Sequence, residues 1–252
     1  MAWLISRRFA RYNWVTAFCF WLDRICDRIL LIASVWQIGS RACEPRGRMA
    51  KEGLPFVILF SVPAAIFSAL GWWVGAAVCV VLAGFMVFFF RDPERRCPDD
   101  DRLVVSPADG LVVVVAPVES SATNSATQIS IFLSPFDVHI NRSPIAGEIT
   151  EVLHKPGAFH VASRDIASTE NEQNIVTIRG QRLTIVFRQI AGVLARRIVL
   201  WKKRGDHVAM GERVGLMKFS SRMDVVMPSE VEVLVKKGER VTGGITVLGR
   251  VR

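Results

Sequence analysis

From Leu54 to Phe90 the chain reads LPFVILFSVPAAIFSALGWWVGAAVCVVLAGFMVFFF, without a single charged residue. A helix that crosses a bilayer needs roughly 20 apolar residues, so this run holds two short spans or one re-entrant hairpin. Gly71 with Trp72 and Trp73 beside it marks the bend, because glycine frees the backbone and tryptophan favours the membrane interface. Lys51 flanks one end and Arg91, Arg95 and Arg96 the other. By the positive-inside tendency both ends are cytoplasmic. A buried helix pair inside a soluble core is the competing reading.

Residues 1–50 mix aromatic and aliphatic side chains with an arginine every few positions, the pattern of an amphipathic helix lying on a membrane. A leader without bearing on activity, or a start at Met49, would read the same way. Asp23, Arg24, Asp27 and Arg28 interrupt the apolar stretch, which argues against a cleaved secretory signal. The formal charge of +9 calls for an acidic partner, either nucleic acid or an anionic membrane. With one tyrosine and no cluster of exposed-looking aromatics interleaved with Lys and Arg, the stacking platform of a nucleic-acid binder is missing. Cys19, Cys26, Cys43, Cys79 and Cys97 form no CxxC pair. Neither a zinc site nor a disulfide framework is legible, which suits a reducing compartment.

Arg91 to Arg102, charged and proline-bearing, reads as a linker and domain boundary. Beyond it, Val/Ile-rich runs bounded by Gly, Pro, Asp and Asn predict a mainly β, sandwich-like domain with a few short helices. Arg179–Gln181 reads as a hairpin turn. KKRGDHVAMGERVGLM (202–217) and VKKGERVTGGITVLG (235–249) echo one another: basic residues, Gly, an acid, Val, then Gly and a strand. Small biotinyl or lipoyl carrier domains use similar turns, and Met217-Lys218 resembles a carrier lysine. A membrane-tethered carrier or scaffold is therefore an alternative.

Four segments carry chemistry. SPADG (106–110) places Asp109 in a tight turn, as ordinary turn chemistry also would. FLSPFDVHINRSP (132–144) packs Asp137, His139, Asn141 and Arg142 between two Ser-Pro turns. On an alternating strand, Asp137, His139 and Asn141 share a face, and histidine is the natural proton carrier at neutral pH. ASTENEQN (167–174) has the polar look of a helix cap. GLMKFSSRMDVVMP (215–228) sets Ser220 and Ser221 side by side in a run that otherwise reads as buried strand. Ser-His-Asp hydrolysis fits poorly, because the serines lack the glycine frame of a nucleophile elbow. Another chemistry suits a serine in a β-rich core. The Ser221 hydroxyl attacks the Ser220 carbonyl, the resulting ester eliminates, and the dehydroalanine hydrolyses to an N-terminal pyruvoyl group that can serve as an electron sink.

The chain resembles the phosphatidylserine decarboxylases, in particular their short prokaryotic branch. The resemblance runs from about Glu52 to Arg252 and rests on EGLPF with the apolar hairpin, FFFRDPERR, SPADG, FLSPFDVHINRSP, ASTENEQN, IAGVLARRIV and MKFSSRMDVVMP, in that order. It implies a proenzyme cut between Ser220 and Ser221 into a β chain (1–220) and an α chain (221–252). Ser221 becomes the covalent pyruvoyl group, which forms a Schiff base with its substrate. His139 matches the family's main proton carrier and Asp109 its assisting carboxylate. Phe136, Asn141 and Arg142 are expected near the substrate, and no metal is called for. Residues 51–92 would be the hairpin and 93–252 the decarboxylase domain, on the cytoplasmic side of the inner membrane. The expected partners are phosphatidylserine in an anionic membrane and the α and β chains of one precursor, with a homodimer as a possible assembly and no nucleic acid. A related lipid headgroup is the narrower alternative. Two positions depart from the family pattern: Ser220 stands where glycine is usual, and Arg142 where longer relatives carry a second histidine.

Overall fold

The uncharged run folds as two helices joined at the expected glycine. In the computed structural model, which describes residues 49–120, 123–160, 166–192, 198–219 and 221–252, α1 spans Leu54–Ala69 and α2 spans Trp73–Phe89. The helix expected within residues 1–48 lies outside the described residues. Gly71 takes φ +74°, a left-handed turn that other residues enter at a cost. Pro55 sits in the first turn of α1, where its missing N–H breaks no helical bond. The helix over Lys51–Ala69 is long and apolar enough to cross a membrane, and Trp73–Phe89 is shorter. Apolar side chains such as Val62, Leu70, Trp73 and Val74 are exposed on this pair, as a pair made for lipid would have them.

The chain falls into two compact units, one ending at Phe88 and the other running Phe89–Arg252. The second is mainly β. Its strands are β1 (Leu103–Val105), β2 (Gly110–Ser120), β3 (Thr123–Leu133), β4 (Ile140–Arg142) and β5 (Gly147–Lys155). After a one-turn helix, α3 (Ala167–Glu170), come β6 (Gln173–Arg179), β7 (Thr184–Ile190), β8 (Ile198–Leu200), β9 (His207–Val208) and β10 (Arg213–Met217). The last four are β11 (Ser221–Pro228), β12 (Val231–Val233), β13 (Arg240–Val241) and β14 (Val247–Val251). Eight of them form one sheet in the order β13-β2-β3-β11-β7-β6-β5-β9, and β1-β14-β12 and β4-β10-β8 form two smaller sheets. The three sheets share one core, with Val104 from β1, Ile129 from β3, Phe187 from β7, Val214 from β10 and Leu248 from β14. The turn expected at Arg179–Gln181 joins β6 to β7.

The internal echo is structural. Gly205 and Gly211 take φ +88° and +73° before β10, and Gly238 and Gly244 take +92° and +75° before β14. Both copies thus run a short strand between two left-handed glycine turns into a longer strand.

β11 lies in the middle of the large sheet, paired antiparallel with β3 on one edge and β7 on the other. All of its residues from Ser221 to Pro228 are buried. Such a strand is buried on both faces, which explains why its sequence does not alternate cleanly.

Candidate active site

Ser221 opens β11 opposite Leu133, the last residue of β3. It shares a sheet face with Met223, Val225 and Met227, which are core residues. Its side chain is wholly buried, and its Oγ has no hydrogen-bond partner among the described residues. Burying a hydroxyl without a partner costs about 1–3 kcal/mol. Two residues upstream, Phe219 holds φ +56°, a left-handed conformation that is a true outlier for a bulky side chain and stores strain of about 1–3 kcal/mol. The Phe219 ring stacks on Phe89 at 4.6 Å and meets Phe90 edge-on at 6.4 Å. The strained kink is thus gripped by aromatic side chains immediately before the serine pair. Ser220 itself lies outside the described residues.

His139 arrives from a turn. The strand expected through Asp137, His139 and Asn141 begins only at Ile140. Ser134 to Asp137 close a turn instead, in which the Asp137 carboxylate accepts from Ser134 N at 2.8 Å and Ser134 Oγ at 2.7 Å, and from Arg240 at 3.0 Å. The shared face is therefore not formed: the side-chain hydrogen bonds of the aspartate compete successfully with the β ladder. His139 is wholly buried, its ring 4.1 Å from that of Phe89. Its Nδ1 lies 2.9 Å from the Asp137 carbonyl oxygen. Burial lowers its pKa from 6.5 to about 4, and the bond to the Asp137 carbonyl and the Asp137 charge offset only part of that drop. The ring is neutral at neutral pH. A carbonyl oxygen only accepts, so Nδ1 carries the hydrogen and Nε2 keeps its lone pair. Nε2 is buried without a partner among the described residues, in the state of a base awaiting a proton.

Asp109 sits in the turn between β1 and β2, with its carboxylate bound bidentately by Arg95 at 2.5 and 2.7 Å. It also accepts from Gly243 N at 2.8 Å. Its hydrogen bonds therefore go to Arg95 and Gly243, while the carbonyl of Asp137 orients the His139 ring. Gly110, next in sequence, has φ +151° and no space for a side chain: a Cβ would stand 2.1 Å from Phe132 O.

The supposed linker is a packed strap. Arg95 is 6% exposed in its pair with Asp109, and Asp92 pairs with Arg213 at 2.6 Å and Arg142 at 3.5 Å. Charges of this stretch bind opposite charges elsewhere in the same unit. Arg142 also donates to Gly211 O at 3.0 Å and Pro93 O at 2.9 Å, so its terminal nitrogens clamp the strap. Phe136, by contrast, is 69% exposed. Asn141 is wholly buried on β4, with its Nδ2 unpartnered among the described residues. Ser221, His139 and Asn141 thus each bring one buried, unsatisfied polar atom to this unit.

Comparison with known proteins shows which family the chain belongs to. Residues 82–249 match the sequence profile of phosphatidylserine decarboxylase. Three proteins named phosphatidylserine decarboxylase proenzyme align over most of the chain. That of Solibacter usitatus is 46% identical, covering 81% of this chain and 97% of its own. That of Magnetococcus marinus is 41% identical, covering 83% and 98%, and that of Carboxydothermus hydrogenoformans 42%, covering 81% and 97%. The chain belongs to the phosphatidylserine decarboxylase family. Membership makes it a carboxy-lyase, and the name proenzyme marks those relatives as made in precursor form.

Within a decarboxylase the carrier alternative fails on physical grounds too, since Lys218 is 2% exposed and a carrier lysine has to swing through solvent. Sequence reasoning missed four features of this family member's site region. Arg95 and Phe89 were hidden in a linker and a membrane run. Gln189, on β7, was not singled out. The buried pair Arg222–Asp224, 2.7 Å apart and joined to Ser130, Gln128 and Ser168, occupies the sheet face opposite Ser221. Two charges spaced i, i+2 in an otherwise apolar strand were its only signal.

Proposed function

We propose that this chain is a self-processing phosphatidylserine decarboxylase, converting phosphatidylserine to phosphatidylethanolamine and CO2. The supporting observation is the buried Ser221 Oγ, without a partner among the described residues, at the head of a strand bonded on both edges. In the precursor, Oγ adds to the Ser220 carbonyl carbon while its proton passes to His139 Nε2. The acyl group moves from the Ser221 nitrogen to Oγ as that nitrogen takes the proton back from His139, giving an ester and a free amine. Loss of the Ser221 Cα proton expels the Ser220 carboxylate and ends the β chain at residue 220. Water then hydrolyses the remaining enamine with release of ammonia, leaving a pyruvoyl group on the α chain, 221–252.

A pyruvoyl group fits a buried position at the head of β11 whose oxygen has no partner among the described residues. When formed, it supplies a carbonyl that condenses with an amine and accepts the electrons left as CO2 departs. His139 Nε2 holds and returns the proton, and the ring of Phe89 against His139 excludes water from it. The hairpin (51–92) keeps the decarboxylase domain (93–252) at the inner membrane, on its cytoplasmic side. The net charge of +9 draws it to anionic lipid, each nearby Lys or Arg contributing about 1 kcal/mol.

Intact mass tests the reading. Two species, with the smaller beginning at residue 221 and carrying a pyruvoyl mass, support it, and Ser221→Ala should remain one inactive chain. A single intact wild-type chain with no lipid turnover would overturn it. Turnover of a different headgroup in preference to serine would keep the chemistry and change the substrate.

A further inference from the structure

A line of amide side chains crosses the core towards Asn141. Gln189, on β7, donates Nε2–H to Asn141 Oδ1 at 2.8 Å and lies 3.5 Å from Val199 O. Its Oε1 receives Asn174 Nδ2 at 3.4 Å, and Asn174 Oδ1 meets His154 Nδ1 at 2.8 Å. The orientation of the line follows from its one fixed acceptor. Val199 O cannot donate, so the NH2 end of Gln189 must face it. The same NH2 therefore also faces Asn141, which has to present its oxygen. That leaves the Asn141 NH2 turned away from Gln189, buried and without an acceptor among the described residues.

The arrangement is built rather than incidental. Gly215 pairs with Asn141 across β4 and β10, and a Cβ there would stand 2.3 Å from Val199 O and 2.9 Å from Gln189 Nε2. Only glycine leaves room for this contact. Gln189 is the register partner of Met223, so it projects from the same face of the sheet as Ser221, two residues earlier. His139 precedes Asn141 by two residues and carries its own bare Nε2.

We propose that Gln189 is a positioning residue: it turns the Asn141 amide so that its N–H is offered to an anionic oxygen at the Ser221 site. The inference rests on the functional reading above. The anionic oxygen has two sources, the oxyanion formed on the Ser220 carbonyl during scission or the carboxylate of the lipid substrate.

A double-mutant cycle tests it, with two rates read in full-length protein: precursor scission by intact mass, and lipid turnover per cleaved enzyme. Gln189→Glu replaces the donor by an acceptor and should turn the Asn141 amide around. We expect it to slow one of the two rates by about 10–100-fold, below the loss seen when an oxyanion donor is removed outright. Asn141→Ala should slow the same rate at least as much, and Q189E should add nothing in the N141A background. Slowed scission assigns the donor to the precursor's oxyanion; slowed kcat at unchanged scission assigns it to the substrate carboxylate. If the introduced charge prevents folding, Gln189→Met runs the same cycle without charge. Wild-type rates in the Gln189 variants, or losses that multiply with N141A, would overturn the proposal. A wild-type chain that neither cleaves nor turns over lipid would instead overturn the functional reading.

Discussion

His139 gives its Nδ1–H to the carbonyl oxygen of Asp137 at 2.9 Å, and that one bond leaves Nε2 as the ring's basic atom. Because burial lowers the pKa from 6.5 to about 4, the unfolded chain takes up this proton first as pH falls. Stability is therefore unaffected by this group above the unfolded value and is lost as pH drops through the window between the two. The full loss amounts to about 3 kcal/mol. In the Ser221→Ala background, which on the proposed function keeps the chain in one piece, urea melts should show this acid loss. His139→Gln should remove most of it. Equal acid sensitivity with and without the histidine would refute the assignment.

Scission at Ser221 should leave the two fragments together. β11 is hydrogen-bonded to β3 and β7, and β13 and β14 pair with β2 and β1, so residues 221–252 are woven into strands of residues 1–220. Every residue of β11 is buried. The fragments should co-elute in native gel filtration and separate only in denaturant. Spontaneous separation would mean that β11 does not hold its place after cleavage.

Removing the Asp109 carboxylate leaves Arg95, which is 6% exposed, without its main partner. Breaking a buried pair from one side costs about 3–5 kcal/mol. Asp109→Ala should lose an amount towards the lower end of that range, because Gly243 O still accepts from Arg95. Asp109→Ala combined with Arg95→Met should lose less than the sum of the single changes. Additive losses in chemical denaturation would show that the two side chains are not coupled.

On the opposite face of β11, Arg222 and Asp224 are 2% and 0% exposed. Arg222→Ala strands the Asp224 charge and should cost about 3–5 kcal/mol. Arg222→Met with Asp224→Leu removes both charges and should recover much of that loss. A double variant as unstable as Arg222→Ala alone would assign the stability to Ser130 and Ser168 rather than to the ion pair.

Features carried by a few neighbouring residues were legible from the sequence. The apolar run gave the helix pair, Gly71 its turn, and the paired Gly-acid-x-Val motifs two matching strand-and-turn units. The β class followed from short Val/Ile runs. The alternation through Asp137–Asn141 misled, because a carboxylate capping the Ser134 turn is as local as strand periodicity and stronger. The serine pair and His139 stood out as candidates by residue type and motif.

What the sequence determined alone was the hairpin, the β character and the placing of Ser221 in a core strand, since these depend on periodicity and turn chemistry over a few residues. The tertiary structure decided which charges of the 91–102 strap are buried, which nitrogen of His139 is bare and which way the Asn141 amide faces. Those depend on partners brought from afar: Arg95 reaches Gly243 across 148 positions and Gln189 reaches Asn141 across 48. A hydrogen bond's direction is fixed by the one partner that cannot reverse, and only the folded chain supplies that partner.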